Sequence, residues 1–238
     1  MDIPSSLAIV ALAAAIHASF QITVSVLTLL SGHAIGAKRS QNNVLRLNWS
    51  FIGGTATMTL LILSFISLLL IHLFGPIDVP LQVWAVACGL VFGIGVAVWL
   101  FYFRKEKGTK LWIPRVLAEH LNDRSKATKH SAEAYSLGLT SVIAELVFIV
   151  PSMLISALVL LQLPSAWQLF GIALYVVISL SSLVVVSTLI GGGHSISKIQ
   201  KWREENKGFL QFAAGSALVA LGFFVYIYKV VAEASGVL

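Results

Sequence analysis

The chain has few charges and almost no cysteine, and both shortages exclude classes of protein. Only 11% of its residues are charged, against 58% that are hydrophobic, and the mean hydropathy is +0.90. These values are typical of membrane proteins and exclude an ordinary soluble domain. Cys88 is the only cysteine, so the chain cannot form an internal disulfide or a Cys-x-x-Cys redox pair. We expect Cys88 to be a small packed residue.

Motifs of known catalytic chemistry are also missing. The sequence has no Gly-x-Ser-x-Gly, no His-Glu-x-x-His, no pair of aspartates within an apolar segment and no phosphate-binding loop. We therefore predict no enzyme and no cofactor. Compact metal-ligand spacing such as His-x-x-x-His is absent as well, which leaves the ligands of any metal ion unknown.

What the chain does contain is apolar segments long enough to cross a bilayer, which takes about 20 residues. We count six, at residues 7–35, 48–74, 81–103, 134–163, 169–190 and 209–231. Little of the 238-residue chain is left over, so we predict one all-α membrane domain over residues 1–238. The first segment follows Asp2 instead of a basic stretch and is longer than a signal-peptide core, so we expect it to be retained.

The strongly basic stretches are confined to alternate gaps between the apolar segments. Three follow the first segment, eight lie between residues 104 and 129, and four follow the fifth segment. The gaps at residues 74–80 and 162–167 contain no Lys or Arg. Because short basic loops stay in the cytoplasm, we predict a multi-pass protein of the inner membrane with both termini outside. The net charge of +6 then faces anionic lipid headgroups, and no nucleic-acid partner is expected.

The two halves of the chain share one layout. Residues 5–104 and 133–238 each contain three apolar segments, and in both halves the third segment ends in aromatic residues and a cation. Shifting the first segment by 124 residues aligns Gln21 with Glu145. Two halves of three spans each must be inverted relative to each other, which is a common transporter plan. Residues 105–132 form the predicted cytoplasmic linker, with an amphipathic helix at 111–121 on the membrane surface and a polar tether after it.

Glu145 carries the strongest functional signal. It is the only acidic residue well inside an apolar segment, and a charge at the bilayer centre costs about 2.5–3.5 kcal/mol on insertion scales. Such a residue either makes one interhelical hydrogen bond or forms a proton or cation site. Pro151 lies six residues further on and should kink or break the helix, because it lacks an N–H and its ring clashes with the preceding turn.

Polar residues of the first and fourth spans form two stripes that the proposed repeat would bring together. His17, Gln21 and Ser25 share one helical face of the first span, and Ser141 and Glu145 share one face of the fourth. Histidine titrates near neutral pH, so His17 and Glu145 could hold or pass a proton. Each of these residues also has a simpler interpretation as a hydrogen-bonded packing residue.

The layout resembles the lysine-exporter/thiol-electron-conduit superfamily of six-span proteins. Residues 137–145 followed by Pro151 resemble the Gly-then-Pro active span of that family, and residues 215–222 resemble its glycine-spaced closing helix. The resemblance implies an inverted repeat and transport of a small solute or ion. The thiol conduits carry Cys-Pro in the first and fourth spans. Here Gln21 and Glu145 occupy that zone, which by this analogy excludes electron transfer.

The sequence thus predicts a secondary transporter. Its site would lie at the bilayer midplane between the first and fourth spans, with Glu145 binding a proton or cation and Pro151 letting the helix open. The predicted site residues are His17, Gln21, Ser25, Ser141 and Glu145. The expected partners are the lipid bilayer and a small solute or ion, and a second copy of the chain in a homodimer is a further candidate. The alternatives are a non-transporting membrane subunit or assembly factor, and a divalent metal-ion exporter.

Overall fold

The computed structural model describes residues 2–37, 40–75, 79–102 and 115–235, and the regular secondary structure within them is helical throughout. The helices are α1 (Ile3–Ser19), α2 (Ile22–Gly36), α3 (Gln41–Phe74), α4 (Leu81–Phe101), α5 (Arg115–Ala127), α6 (Ser131–Leu161), α7 (Ser165–Ser179), α8 (Ser181–Gly191), α9 (Ile196–Glu205), α10 (Lys207–Val225) and α11 (Ala232–Ala234). A π-helical segment, Tyr226–Val231, joins α10 to α11. The all-α prediction is confirmed.

Four of the described helices are long and apolar enough to cross a membrane alone. They are α3, α4, α6, and α10 with its continuation to Ala234. Two further pairs pass the same test only as units, because each is interrupted by a bend. The bend between α1 and α2 is 47°, and the bend between α7 and α8 is 42°. The described chain therefore has four to six candidate spans.

The helices α3 and α6 form the most extensive helix pair of the described chain. Glycine makes their close approach possible. A Cβ atom on Gly54 would overlap the carbonyl oxygen of Tyr135, and one on Gly138 would overlap the carbonyl oxygen of Phe51. Tyr135 also donates a hydrogen bond from its hydroxyl to Thr57 at 2.8 Å. Gly54 and Gly138 are thus the residues that let α3 and α6 approach closely.

The helices α4 and α10 pack antiparallel to each other. Gly95 lies against Gly215, and residue numbers rise on one helix as they fall on the other. The same order is seen where Cys88 meets Gly222, and where the Trp99 indole N–H bonds the Phe212 carbonyl at 3.1 Å. Of the three glycines in α4, Gly95 makes this contact. A Cβ at Gly89 or Gly93 would meet nothing within 4 Å among the described residues.

The two bent pairs run side by side in the same direction. Near their beginnings, a Cβ atom on Gly171 would come within 3.5 Å of Leu7. Near their ends, Ile35 and Ile190 line one cavity. Between these points, α1 packs against α7 and α8, and α2 packs against α8. The two bends therefore occur in neighbouring, parallel chain segments.

The helix α6 continues through Pro151, where we predicted a break, and that part of the prediction is wrong. All of α6 is described, and it runs uninterrupted from Ser131 to Leu161. The proline removes one backbone donor, which is tolerated because most side chains from Pro151 to Leu161 are buried against other helices. The chain breaks instead between α1 and α2, where no proline is present.

Helix α5 covers much of the predicted linker between the halves. Residues 111–114 of the expected amphipathic helix lie outside the described residues, and α5 begins at Arg115. It ends at Ala127, so most of the expected polar tether is helical. The reason is a buried stripe at helical spacing, formed by Leu121, Ser125 and Thr128. The helices that α5 contacts are α2 and α6.

Candidate functional site

The break between α1 and α2 leaves backbone groups without helical partners. Phe20 and Gln21 separate the two helices, and the side chains of both are buried. Within α1, the Phe20 N–H reaches back only to the His17 carbonyl, at 3.1 Å. The N–H groups at the start of α2 have no partner in their own helix. In an apolar environment each of them needs a partner from elsewhere in the fold.

Glu145 supplies one of these partners from the middle of α6. Its Oε1 atom accepts a hydrogen bond from the Ile22 N–H at 2.9 Å, and Thr23 lies next to the same carboxyl. A carboxylate at the first residue of α2 also meets the positive end of that helix dipole. The side chain is completely buried. Its Oε2 atom has no hydrogen-bond partner among the described residues.

Arg203 approaches the break from α9 and holds Gln21. Its Nε donates to Gln21 Oε1 at 3.0 Å, while Nη2 donates to the Gln21 carbonyl at 3.2 Å and to Ser25 Oγ at 2.7 Å. Only 3% of the side chain is exposed. Burial lowers the pKa of Arg203 to about 10, so the guanidinium keeps its charge at neutral pH. Glu145 and Arg203 thus bring a carboxyl group and a guanidinium to the same helix break.

Tyr102 holds the break on a third side. The hydroxyl accepts a hydrogen bond from the Gln21 N–H at 2.6 Å. Its ring packs edge-on against Phe148 and Phe20, with centroid distances of 4.9 and 5.5 Å. We call Gln21, Tyr102, Glu145 and Arg203 the clamp.

The structure brings three of the five predicted site residues to the break. The other two form their hydrogen bonds with groups elsewhere. Gln21, Ser25 and Glu145 contact the break as described. His17 Nδ1 lies 3.2 Å from the Tyr175 hydroxyl on α7, and Ser141 donates to the Gly138 carbonyl of its own helix at 2.8 Å. No hydrogen bond joins His17 to Glu145 in the described chain.

The break lies level with one end of α4 and α10. Tyr102 directly follows α4, and Leu210 in the first turn of α10 lines the same cavity as Gln21. Glu145 is therefore beside the ends of these helices, although its position in the fourth apolar segment predicted the bilayer midplane. The difference arises because α3 and α6, with 34 and 31 residues, extend well past the end of the 21-residue α4.

Sequence reasoning missed the roles of Arg203 and Tyr102. Arg203 was counted only among the four basic residues that follow the fifth segment, and Tyr102 only among the aromatic residues that end the third segment. A signal for Arg203 does exist, because Ile196, Ile199 and Arg203 share one face at helical spacing. That face is the one that α9 turns towards its neighbours, and Arg203 is its most buried member. No comparable local signal marks Tyr102.

Two cavities lie on one side of the break. A groove of about 700 Å³ between α1, α2, α8 and α9 is lined by Gln21 and Arg203. A second cavity of about 650 Å³ lies between the end of α2, the start of α3 and the loop after α8. His194 lines both cavities, so the two are adjacent. Glu145 lines neither of them, whereas Gln21 and Arg203 line the first.

A metal site has no support from the described residues. They contain no group of three or more His, Cys, Asp or Glu side chains close enough to hold a metal ion. His17 and Glu145 are each engaged by another group. Searches for matching protein families, curated proteins and solved structures find nothing that matches the chain.

Proposed function

We propose that the chain is a secondary transporter of the inner membrane, with six spans in two inverted halves, that moves a small solute or ion with a proton or cation bound at Glu145. The observation that carries the proposal is the clamp. A buried carboxyl group and a buried guanidinium meet an interrupted helix, and a groove reaches one of them. Interrupted helices whose ends face a buried site are a recurring feature of transporters.

The antiparallel packing of α4 and α10 supports six spans. Consecutive spans alternate in direction, and α6 crosses between α4 and α10. With α6 as the only crossing between them, α4 and α10 would be parallel. A crossing by the α7–α8 pair restores the antiparallel order that Gly95 and Gly215 mark. The α1–α2 pair runs beside α7–α8 over its whole length, which supports a crossing there too.

The pairing of the helices also supports the inverted repeat. A two-fold axis that exchanges the halves would exchange the α1–α2 pair with α6, α3 with the α7–α8 pair, and α4 with α10. The contact between α3 and α6 would then correspond to a contact between α1–α2 and α7–α8. Both contacts are present, and α4 packs directly on α10. The orientation follows from the basic residues, with α9 and the C-terminal end of α4 on the cytoplasmic side.

Under this orientation the site is closed to the outside and approached from the cytoplasm. Beyond Glu145, the outward half of α6 is packed, and Ile149, Met153 and Leu158 are completely buried. Both cavities lie on the opposite side of the break. We interpret the structure as an inward-oriented conformation in which Glu145 is occluded. Release of the clamp by rotation of α9 would expose the carboxyl, and such changes amount to a shift between two conformations.

Glu145→Gln tests the proposal. The purified chain is reconstituted in liposomes that contain a pH-sensitive dye, and proton movement is recorded on addition of amino acids, small organic acids, and monovalent or divalent cations. We expect solute-dependent proton flux in the wild type and none in Glu145→Gln, because an amide cannot exchange a proton. Glu133→Gln on the same helix is the matched control. In Glu133→Gln, the side-chain amide oxygen can still accept the hydrogen bonds that the Lys129 and His130 N–H groups donate to Glu133 in the wild type.

A non-transporting membrane subunit is the second candidate, and the complete burial of Glu145 favours it. In that case the clamp would only replace the hydrogen bonds that the break removes. Glu145→Gln would then keep the function of the complex, and substitutions of the exposed apolar residues Phe65 or Leu68 on α3 would abolish it. Unchanged proton flux in Glu145→Gln would refute the proposed role of that carboxyl.

A further inference from the structure

The groove beside Arg203 combines apolar walls with an open side. Val24, Val186 and Leu210 contribute to its walls. On the open side, Val185 and Trp202 are each 55% exposed. Its volume of about 700 Å³ falls within the range of small-molecule sites. Since α8 and α10 belong to proposed spans, the open side faces the acyl chains of the bilayer.

The charged side chains that line the groove are all basic. They are Lys198 and Arg203, with His194 at the junction with the second cavity, and the described lining residues include no acid. Arg203 uses Nε and Nη2 to hold Gln21 and Ser25. Its Nη1 group makes no hydrogen bond within the described chain and is not sealed from solvent. Two N–H donors of a nearly buried guanidinium are thus available to a ligand.

We propose that the groove binds a single-chain anionic amphiphile from the cytoplasmic leaflet. Its anionic head would accept hydrogen bonds from Arg203 Nη1 and pair with Lys198, and its chain would lie along Val185 and Leu189 of α8. A guanidinium prefers a carboxylate or phosphate over other heads, since its planar donors match their oxygens. The inference that this amphiphile is the transported substrate rests on the proposed function. The inference that it binds in the groove does not.

Binding can be measured through Trp202, which lines the groove. The chain is purified in a neutral detergent and titrated with brominated stearate, and separately with its methyl ester. Bromine quenches tryptophan fluorescence on contact, so quenching reports occupancy. We expect saturable quenching by the acid, and an affinity at least about tenfold lower for the uncharged ester, which cannot use either cation. Trp202→Phe identifies the part of the signal that comes from the groove.

Three substitutions on α9 distinguish binding of the anionic head from a general effect of positive charge. Lys198→Gln should weaken binding of the acid about two- to fivefold, as expected for a partly exposed ion pair. Lys201→Gln removes the same charge from the same helix, but Lys201 faces Glu205 at 3.8 Å and does not line the groove, so binding should be unchanged. Arg203→Lys keeps the charge and should weaken binding further, because the planar donor pair is lost.

Equal quenching by the acid and the ester would overturn the inference, because the groove would then be ordinary lipid-exposed surface. An equal effect of Lys198→Gln and Lys201→Gln would also overturn it. Glu145→Gln separates this inference from the proposed function. If binding fails while Glu145→Gln still abolishes proton flux with another solute, only the amphiphile site is lost. If binding holds while Glu145→Gln transports normally, only the role of Glu145 is lost.

Discussion

The two bent helix pairs differ in what holds their bends, although the bends are nearly equal. The α1–α2 bend of 47° depends on Glu145, Tyr102 and Arg203, which come from other parts of the chain. At the α7–α8 bend of 42°, Leu180 N–H reaches the Val176 carbonyl and Val184 N–H reaches the Leu180 carbonyl, and no side chain from another helix of the described chain bonds the backbone of the bend. The angle of a bend therefore does not distinguish a candidate functional site from a simple bend. The distinction lies in whether the hydrogen-bond partners of the bend come from distant side chains.

The largest effect should come from Arg203→Met, which keeps the length of the side chain and removes its charge. The Gln21 side-chain oxygen, the Gln21 carbonyl and Ser25 Oγ would each lose a charged donor. One hydrogen bond to a charged group contributes about 1.5–3 kcal/mol, so the loss of all three should cost on the order of 3–5 kcal/mol. We expect a loss of this size in the free energy of unfolding, measured by detergent titration in mixed micelles. A loss below about 1 kcal/mol would mean that the break is held locally, as in α7–α8.

A smaller effect is expected for Tyr102→Phe. The ring contacts with Phe20 and Phe148 remain, but the buried Gln21 N–H loses its acceptor. An unsatisfied buried donor costs about 1–3 kcal/mol. Tyr175→Phe is the matched control beside α7, because the Tyr175 hydroxyl contacts only the His17 ring and no backbone group in the described chain. Equal losses in the two variants would contradict the distinction drawn between the breaks.

The sequence predicts the long apolar helices because apolar length determines them, and four of the six predicted spans are single helices while the other two are bent pairs. It also predicts that Gln21 and Glu145 share a depth, since the shift by 124 residues aligns the two. The break itself was assigned to Pro151, which is the only local signal of an interruption. The chain breaks at Phe20 and Gln21 because three distant side chains supply the missing hydrogen bonds, and partners of that kind leave no trace in local composition.

Histidine and arginine were misjudged for related reasons. His17 was expected to face Glu145 because the proposed repeat brings the polar faces of the first and fourth spans together at equal depth. Its side chain instead meets Tyr175 on α7. Arg203 was counted only as a cytoplasmic charge, because the positive-inside rule explains any cation in that gap. A rule that explains every cation in a gap cannot single out the buried one.

The smallest expected effect comes from a matched pair of serines, one at each bend. Ser25 donates to the Gln21 carbonyl at 2.6 Å and accepts from Arg203 at 2.7 Å, whereas Ser179 only donates to the Val176 carbonyl of its own helix, at 2.9 Å. Ser25→Ala should cost about 1 kcal/mol, since it removes an acceptor from a charged donor. Ser179→Ala should change the free energy of unfolding by less than about 0.5 kcal/mol, because the carbonyl keeps its helical bond. Detergent titration of both variants checks the difference. A larger loss in Ser179→Ala than in Ser25→Ala would show that α7–α8 is the bend that depends on side chains, and would make that bend the candidate ion site.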